Sequence, residues 1–412
     1  MKRVFEQSWI GAIRLDNRII RSATVESLAD PEGRPGEELK DLYVRLAEGG
    51  VGAIITSMTG IEKAGKGARF MNMIDRDEYI DDYRRITSAV HSRGTPIIMQ
   101  LAHAGRQTSA SITGAQPVAP SALRDKMFWR DRPRELTEPE ILDIVDSFVV
   151  AIDRARQSGF AGVQLHAAHG FLLAQFLSPY MNRRTDRWGG STENRFRVVK
   201  EILQRARDRI GDYPILAKVN GHDARPNGMR VEEAIEIARL LEAEGCDAIE
   251  VSCGVGEDGF NTIRVARRPL DAMFAMVPDF RNMPKVGKTI TRLAAPLLVK
   301  EHRPLSNYNV LAAARIKAAV NIPVIAVGGT RQLSDIETII AGDQADFVGM
   351  SRPFIIEPDI VNKLKSGRQT GSRCISCGYC ALGCIDRRTR CYFGKLDRFS
   401  QSLPDESSRE AA

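Results

Sequence analysis

The sequence predicts an α/β fold, a (β/α)8 TIM barrel with a short Cys-rich C-terminal extension. Two observations carry that expectation. Eight short β-branched runs recur along the chain, and each is followed by a stretch with helical periodicity. Near-continuous apolar strands alternating with helices mean a parallel sheet covered on both faces. Eight such units favour a closed barrel over a doubly wound open sheet.

In order, the runs are NRIIRSA (17–23), GAIITS (52–57), PIIMQLA (96–102), GVQLHA (162–167), ILAKVN (215–220), AIEVSC (248–253), PVIAVG (323–328) and DFVGMS (346–351). Amphipathic segments such as EELKDLYVRLAEGG, DDYRRITSAVHSRG and VEEAIEIARLLEAEGC lie between them. LTEPEILDIV offers Thr137 as an N-cap with Glu140 three residues on, the spacing of a capping box. Two connections are too long for turns: 103–136, which holds Phe128 and Trp129, and 254–306. Between 256 and 303 of the latter, nine Lys/Arg outnumber five Asp/Glu. Both follow strand ends, so both are expected over the barrel mouth as active-site walls, with plain surface insertions as the alternative. The expected organisation is a barrel over 1–365, a Cys-rich segment over 366–396 and a polar, disordered tail over 397–412.

Composition narrows the partners. The net charge is +7, with both signs dispersed, which does not describe a nucleic-acid stripe. No apolar run reaches the ~18 residues of a membrane span, and the N-terminus lacks an apolar signal core, so the cytoplasm is the expected location. Cys246 and Cys253 stand alone, whereas Cys374, Cys377, Cys380, Cys384 and Cys391 crowd the last tenth of the chain. In a reducing compartment such a crowd reads as metal ligation before disulfides.

Barrel chemistry belongs at the C-terminal ends of the strands. There the sequence puts Thr24 and Glu26, Gln100, His166 with His169, Lys218, Gly328 with Gly329, and Arg352. AVGGT (326–330) and GMSRP (349–353) bring small residues where backbone N–H groups can approach a phosphate, and Arg352 adds a permanent cation.

HAAHGFLLAQFLSPYMNRRTDRWGGSTENRFR (166–197) resembles the signature of the Old Yellow Enzyme family of FMN-dependent oxidoreductases. NRIIRSATVE, QLAHAGR, AVGGT and GMSRP resemble its other landmarks, in the same order. CISCGYCALGC makes the chain more similar to the branch of 2,4-dienoyl-CoA reductase and trimethylamine dehydrogenase, where an iron–sulfur motif follows the barrel. The resemblance implies FMN across the barrel mouth, its phosphate on Gly328, Gly329, Ser351 and Arg352. It implies Gln100 on the pyrimidine edge, Lys218 beside N1 and the C2 carbonyl, and Ala23, Thr24 and Gly60 against the ring. Val25 matches a position that often carries a polar or thiol group. His166 and His169 would then be the catalytic pair. Two imidazole N–H donors on a carbonyl oxygen stabilise the negative charge that builds there as hydride reaches the β-carbon of an enone or enoyl thioester. NAD(P)H, a small-molecule substrate and a homo-oligomer complete the expected partners.

Two departures matter. Many members place a proton-donating Tyr where this chain has Phe171, leaving water, a loop residue (Tyr180 or Tyr308) or a substrate that needs no acid. Amine dehydrogenation or N-demethylation is therefore the alternative chemistry, and an electron-transfer subunit the alternative class. In the tail, the spacing reproduces a ferredoxin run. The branch resembled takes its fourth ligand about ten residues after the third, which selects Cys391 with Cys374, Cys377 and Cys380 over Cys384. One [4Fe–4S] cluster is the first expectation, with zinc or no metal as alternatives. Longer members pass electrons from the cluster to an appended FAD/NAD(P)H domain, so a separate electron-donor protein is expected here.

Overall fold

The computed structural model describes residues 2–125, 131–266, 268–298, 303–384 and 388–396. Phe128, Trp129 and the 397–412 tail lie outside the described residues. Eight parallel strands form the core: β1 (Ile19–Arg21), β2 (Ala53–Gly60), β3 (Ile97–Ala102), β4 (Gly162–Ala167), β5 (Ile215–Asn220), β6 (Ala248–Ser252), β7 (Val324–Val327) and β8 (Phe347–Met350). Each pairs with its sequence neighbours, and Ile20 of β1 is registered with both Ala53 and Gly349, so the sheet closes on itself. That closure rules out the open doubly wound sheet. Strands β3 to β6 are buried along their whole length, as expected for a sheet packed on both faces.

Helices α1 (Glu37–Glu48), α2 (Tyr79–His91), α3 (Glu138–Gln157), α4 (Thr192–Ile210), α5 (Val231–Ala243), α6 (Val310–Lys317), α7 (Leu333–Ala341) and α8 (Ile360–Lys365) form the outer ring. Each buries one stripe, as α3 does with Ile141, Val145, Phe148 and Ile152. The capping box at the start of α3 forms: Glu140 accepts from the Thr137 backbone N–H at 2.9 Å and from Arg134 at 2.6 Å. The Arg134 fork first, then the Thr137 N–H, lowers the Glu140 pKa to about 2. No helix among the described residues is long and apolar enough to cross a membrane.

An element absent from the sequence expectation closes the N-terminal end. Ser8–Ile10 and Ile13–Leu15 form an antiparallel hairpin turned at Gly11, whose φ of +52° lies in the region glycine tolerates. Its Ile10, Ile13 and Leu15 pack with Ile20, Ile55, Ile98, Leu216, Ile325 and Phe347 into a plug beneath the barrel. Phe347 is its largest side chain and is fully buried. A Phe347→Ala variant is expected to lose about 3–5 kcal/mol, read as a lowered urea midpoint at unchanged slope.

The second long connection only partly matches its expected place over the mouth. Its helix Leu270–Met276 turns away to support the Cys-rich segment, with Ala272 and Met276 packed against Tyr392 beside the Tyr379–Gly383 turn. The reason is apolar: that face would otherwise be left in water. Of its described cations, Arg292 pairs with Asp271 at 2.9 Å and Lys288 donates to the Arg281 carbonyl at 2.8 Å.

Candidate active site

The period-two alternation of β4 aims Gln164 and His166 at the same barrel interior. Lys218 on β5 is registered with His166 on one side and with Glu250 of β6 on the other. A hydrogen-bonded chain crosses the floor of the mouth. Gln100 Nε2 donates to Gln164 Oε1 at 2.7 Å, and Gln164 Nε2 donates to Glu250 Oε2 at 2.8 Å. The other carboxylate oxygen accepts from the Ser22 hydroxyl and lies 3.4 Å from Lys218 Nζ, which itself donates to Ser22 Oγ at 3.0 Å. All five side chains are buried. Gln164, Ser22 and Glu250 were not among the expected site residues. Their signal was a polar residue inside an apolar run, on the inward face.

Above this floor sit the two imidazoles, ring centroids 5.2 Å apart and nearly perpendicular. His169 takes a left-handed φ of +60°, held by its backbone N–H on Asn220 Oδ1 at 3.2 Å. Its Nε2 is 2.6 Å from the Ser252 hydroxyl, and its carbonyl accepts from Gln107 Nε2 at 2.9 Å. His166 lies against the Phe171 ring with centroids 4.5 Å apart, and its Nδ1 is buried without a partner. Burial, then His169 and Lys218, hold the His166 pKa well below the ordinary imidazole value. Burial and then the Lys218 charge bring His169 down to about 3. Both rings are therefore neutral near pH 7, each carrying one N–H.

A stability consequence follows. The unfolded chain takes up protons on these histidines below about pH 6.5, whereas the folded chain refuses them, so folding stability falls as pH drops from about 6.5 toward 3. Urea midpoints measured across that window are expected to decrease on acidification. The slope should flatten in a chain lacking both imidazoles.

After β7 and β8 a cavity opens, lined by Gly328, Gly329, Ser351, Arg352, Arg331 and Tyr308. Gly329 has φ +81°, and a Cβ there would meet the Leu305 carbonyl at 2.2 Å, so only glycine fits. Arg352 Nη1 donates to the Arg264 carbonyl at 3.1 Å. Tyr308 belongs here: its hydroxyl donates to the Thr262 carbonyl at 3.2 Å, and burial pushes its pKa up to about 12. Ala23 and Thr24 are half-buried just past β1, and buried Gly60 ends β2. Tyr180 is half-buried beyond the Leu172–Leu177 helix. The two long connections do meet near the histidines, through a buried Arg106–Glu257 pair at 2.7 Å.

These residues fit FMN. Gly328, Gly329, Ser351 and Arg352 line a cavity with room and a cation for a phosphate, and buried Lys218 and Gln100 bring an ammonium and an amide to the same end of the barrel.

A second cavity is lined by Cys374, Cys377, Cys380 and Cys391, together with Arg352. Cys384 is not in its lining; its Sγ faces the Ala381 carbonyl at 3.1 Å. Burial pushes the Cys380 thiol up to about 12. Among the described residues, no three His, Cys, Asp or Glu side chains converge as a single metal ion requires. The segment is strapped to the β1 end, where Ser27 Oγ donates to the Cys384 carbonyl at 2.8 Å and the Thr389 N–H to the Glu26 carbonyl at 3.0 Å.

Comparison with known proteins bears on the family and the fold. The chain is 37% identical over 389 residues to an NADH oxidase of Thermoanaerobacter brockii, covering 93% of this chain and 54% of that one. It is 34% identical over 388 residues to a metal reductase of Desulforamulus reducens, covering 94% and 52% respectively. The chain thus spans about half the length of the curated relatives it matches. The structure of an old yellow enzyme homologue from Zymomonas mobilis shares the fold, with a TM-score of 0.74 at 22% identity, covering 98% of this chain and all of that one. The model of the NADH:flavin oxidoreductase / NADH oxidase family matches residues 3–255 and 279–371, and with that match the chain belongs to this family.

Proposed function

We propose that the chain is an FMN-dependent oxidoreductase that reduces an activated C=C bond, in an enone or an enoyl thioester, using equivalents from NAD(P)H or a partner protein. The observation that carries this reading is the neutral imidazole pair, with His166 Nδ1 buried and unpartnered beside Lys218. Bound FMN supplies hydride. His166 and His169 donate N–H bonds to the substrate carbonyl oxygen, where they gain strength as charge develops. Ser252, 2.6 Å from His169 Nε2, holds that ring in place. Gly328, Gly329, Ser351 and Arg352 hold the phosphate, Gln100 and Lys218 the pyrimidine edge, and Ala23, Thr24 and Gly60 the ring.

Phe171 favours a second reading in which substrate gives up hydride and no acid is needed, as in amine oxidation. Anaerobic titration with NADH, NADPH, enones and amines separates the two. Bleaching by NAD(P)H with reoxidation by enones supports the first, and bleaching by amines alone the second. If the acid is what the site lacks, Phe171→Tyr is expected to speed enone reoxidation within the ~10²–10⁴-fold scale of general acid catalysis, read by stopped flow. An unchanged rate means that protonation comes from elsewhere.

The same proposal gives Cys374, Cys377, Cys380 and Cys391 to one [4Fe–4S] cluster. The support for it is the four cysteines that line one cavity, the first three at the spacing of a ferredoxin run, with zinc as the alternative.

A further inference from the structure

We infer that Glu250 is a positioning residue that sets both the charge and the amide polarity of the flavin floor. The inference rests on the FMN reading above. Glu250 is fully buried in the middle of the barrel, where an apolar side chain of like size would serve stability as well or better. Its contacts account for its presence. A carboxylate only accepts, so Gln164 must turn its NH₂ toward Glu250 and its carbonyl toward Gln100. Gln100 must then spend one N–H on Gln164, which leaves its own carbonyl and second N–H for another partner. That acceptor–donor edge complements the N–H and C=O of a pyrimidine imide. A residue at this position that both donates and accepts would let the two amides flip together.

The second effect is electrostatic. Lys218 Nζ lies 3.4 Å from Glu250 and is bridged to it by Ser22. In a buried site the carboxylate cancels part of the lysine charge, and that charge is what stabilises anionic reduced flavin. Glu250 therefore keeps the flavin harder to reduce than Lys218 alone would make it. A neutral floor also leaves the site tolerant of both redox states, as a carrier between two substrates requires.

The test is the two-electron midpoint potential of bound FMN, measured by dye equilibration after confirming stoichiometric flavin in each variant. Glu250→Gln is expected to raise the potential by about 30 mV or more, a tenfold gain in relative affinity for reduced flavin. Lys218→Met alone should move the potential the opposite way, downward, because the cation is what favours anionic reduced flavin. A zero or negative shift on Glu250→Gln overturns the inference. If Glu250→Gln does not fold, Glu250→Asp withdraws the carboxylate by one methylene. It should give a smaller shift of the same sign, and no shift overturns the idea equally. A parent chain that binds no FMN would sink the flavin reading itself, an outcome distinct from a flavin whose potential does not respond.

Discussion

A His166→Ala variant is expected to reoxidise with enones about 10²–10³-fold more slowly than the parent, the scale of losing one preorganised donor to a developing oxyanion. The buried, unpartnered Nδ1 shows a ring with no structural hydrogen bond through that atom, so its removal should act on the reaction more than on folding. His169→Ala should lose a comparable factor with additional loosening of the strand end, because the ring also bonds the Ser252 hydroxyl. The double variant should lose far less than the product of the singles, as groups that act on one atom do. Stopped-flow oxidation of prereduced enzyme isolates the step. A His166→Ala rate within fivefold of the parent would remove the oxyanion role.

Cys380→Ser or Cys391→Ser is expected to abolish bound iron and acid-labile sulfide, whereas Cys384→Ser should retain both. Cys391 faces the cavity beside buried Tyr392, while Cys384 faces a carbonyl of its own turn. The measurement is iron and sulfide per chain after anaerobic reconstitution. Loss on Cys384→Ser with retention on Cys391→Ser would reverse the ligand assignment. Zinc in place of iron in the parent would replace the cluster.

The eight barrel strands were legible because both faces of a parallel sheet are buried, which writes each strand as an apolar run. The residues at their C-terminal ends were legible because a barrel has one functional rim, so Gln100, Lys218, His166 and Arg352 could be aligned by position alone. The hairpin was not legible: strands of three residues are too short to show alternation, and SWIGAIRL reads as an ordinary N-terminus. Glu250 escaped for a different reason. Its partners Gln164 and Ser22 are 86 and 228 residues away, so nothing local marks it as more than an isolated acid in a strand. The support that Leu270–Met276 gives the Cys-rich segment likewise depends on a contact across more than a hundred residues.

The apolar plug under the barrel has a kinetic meaning. With Ile10, Ile13, Leu15 and Phe347 sealing one end, every small molecule that reaches the flavin floor must arrive and leave through the same opening. On the reading proposed above, a small-molecule electron donor and the electron acceptor would share one berth, each vacating it before the other enters. Such a vessel would turn over in alternating visits, an excess of either small molecule slowing the other.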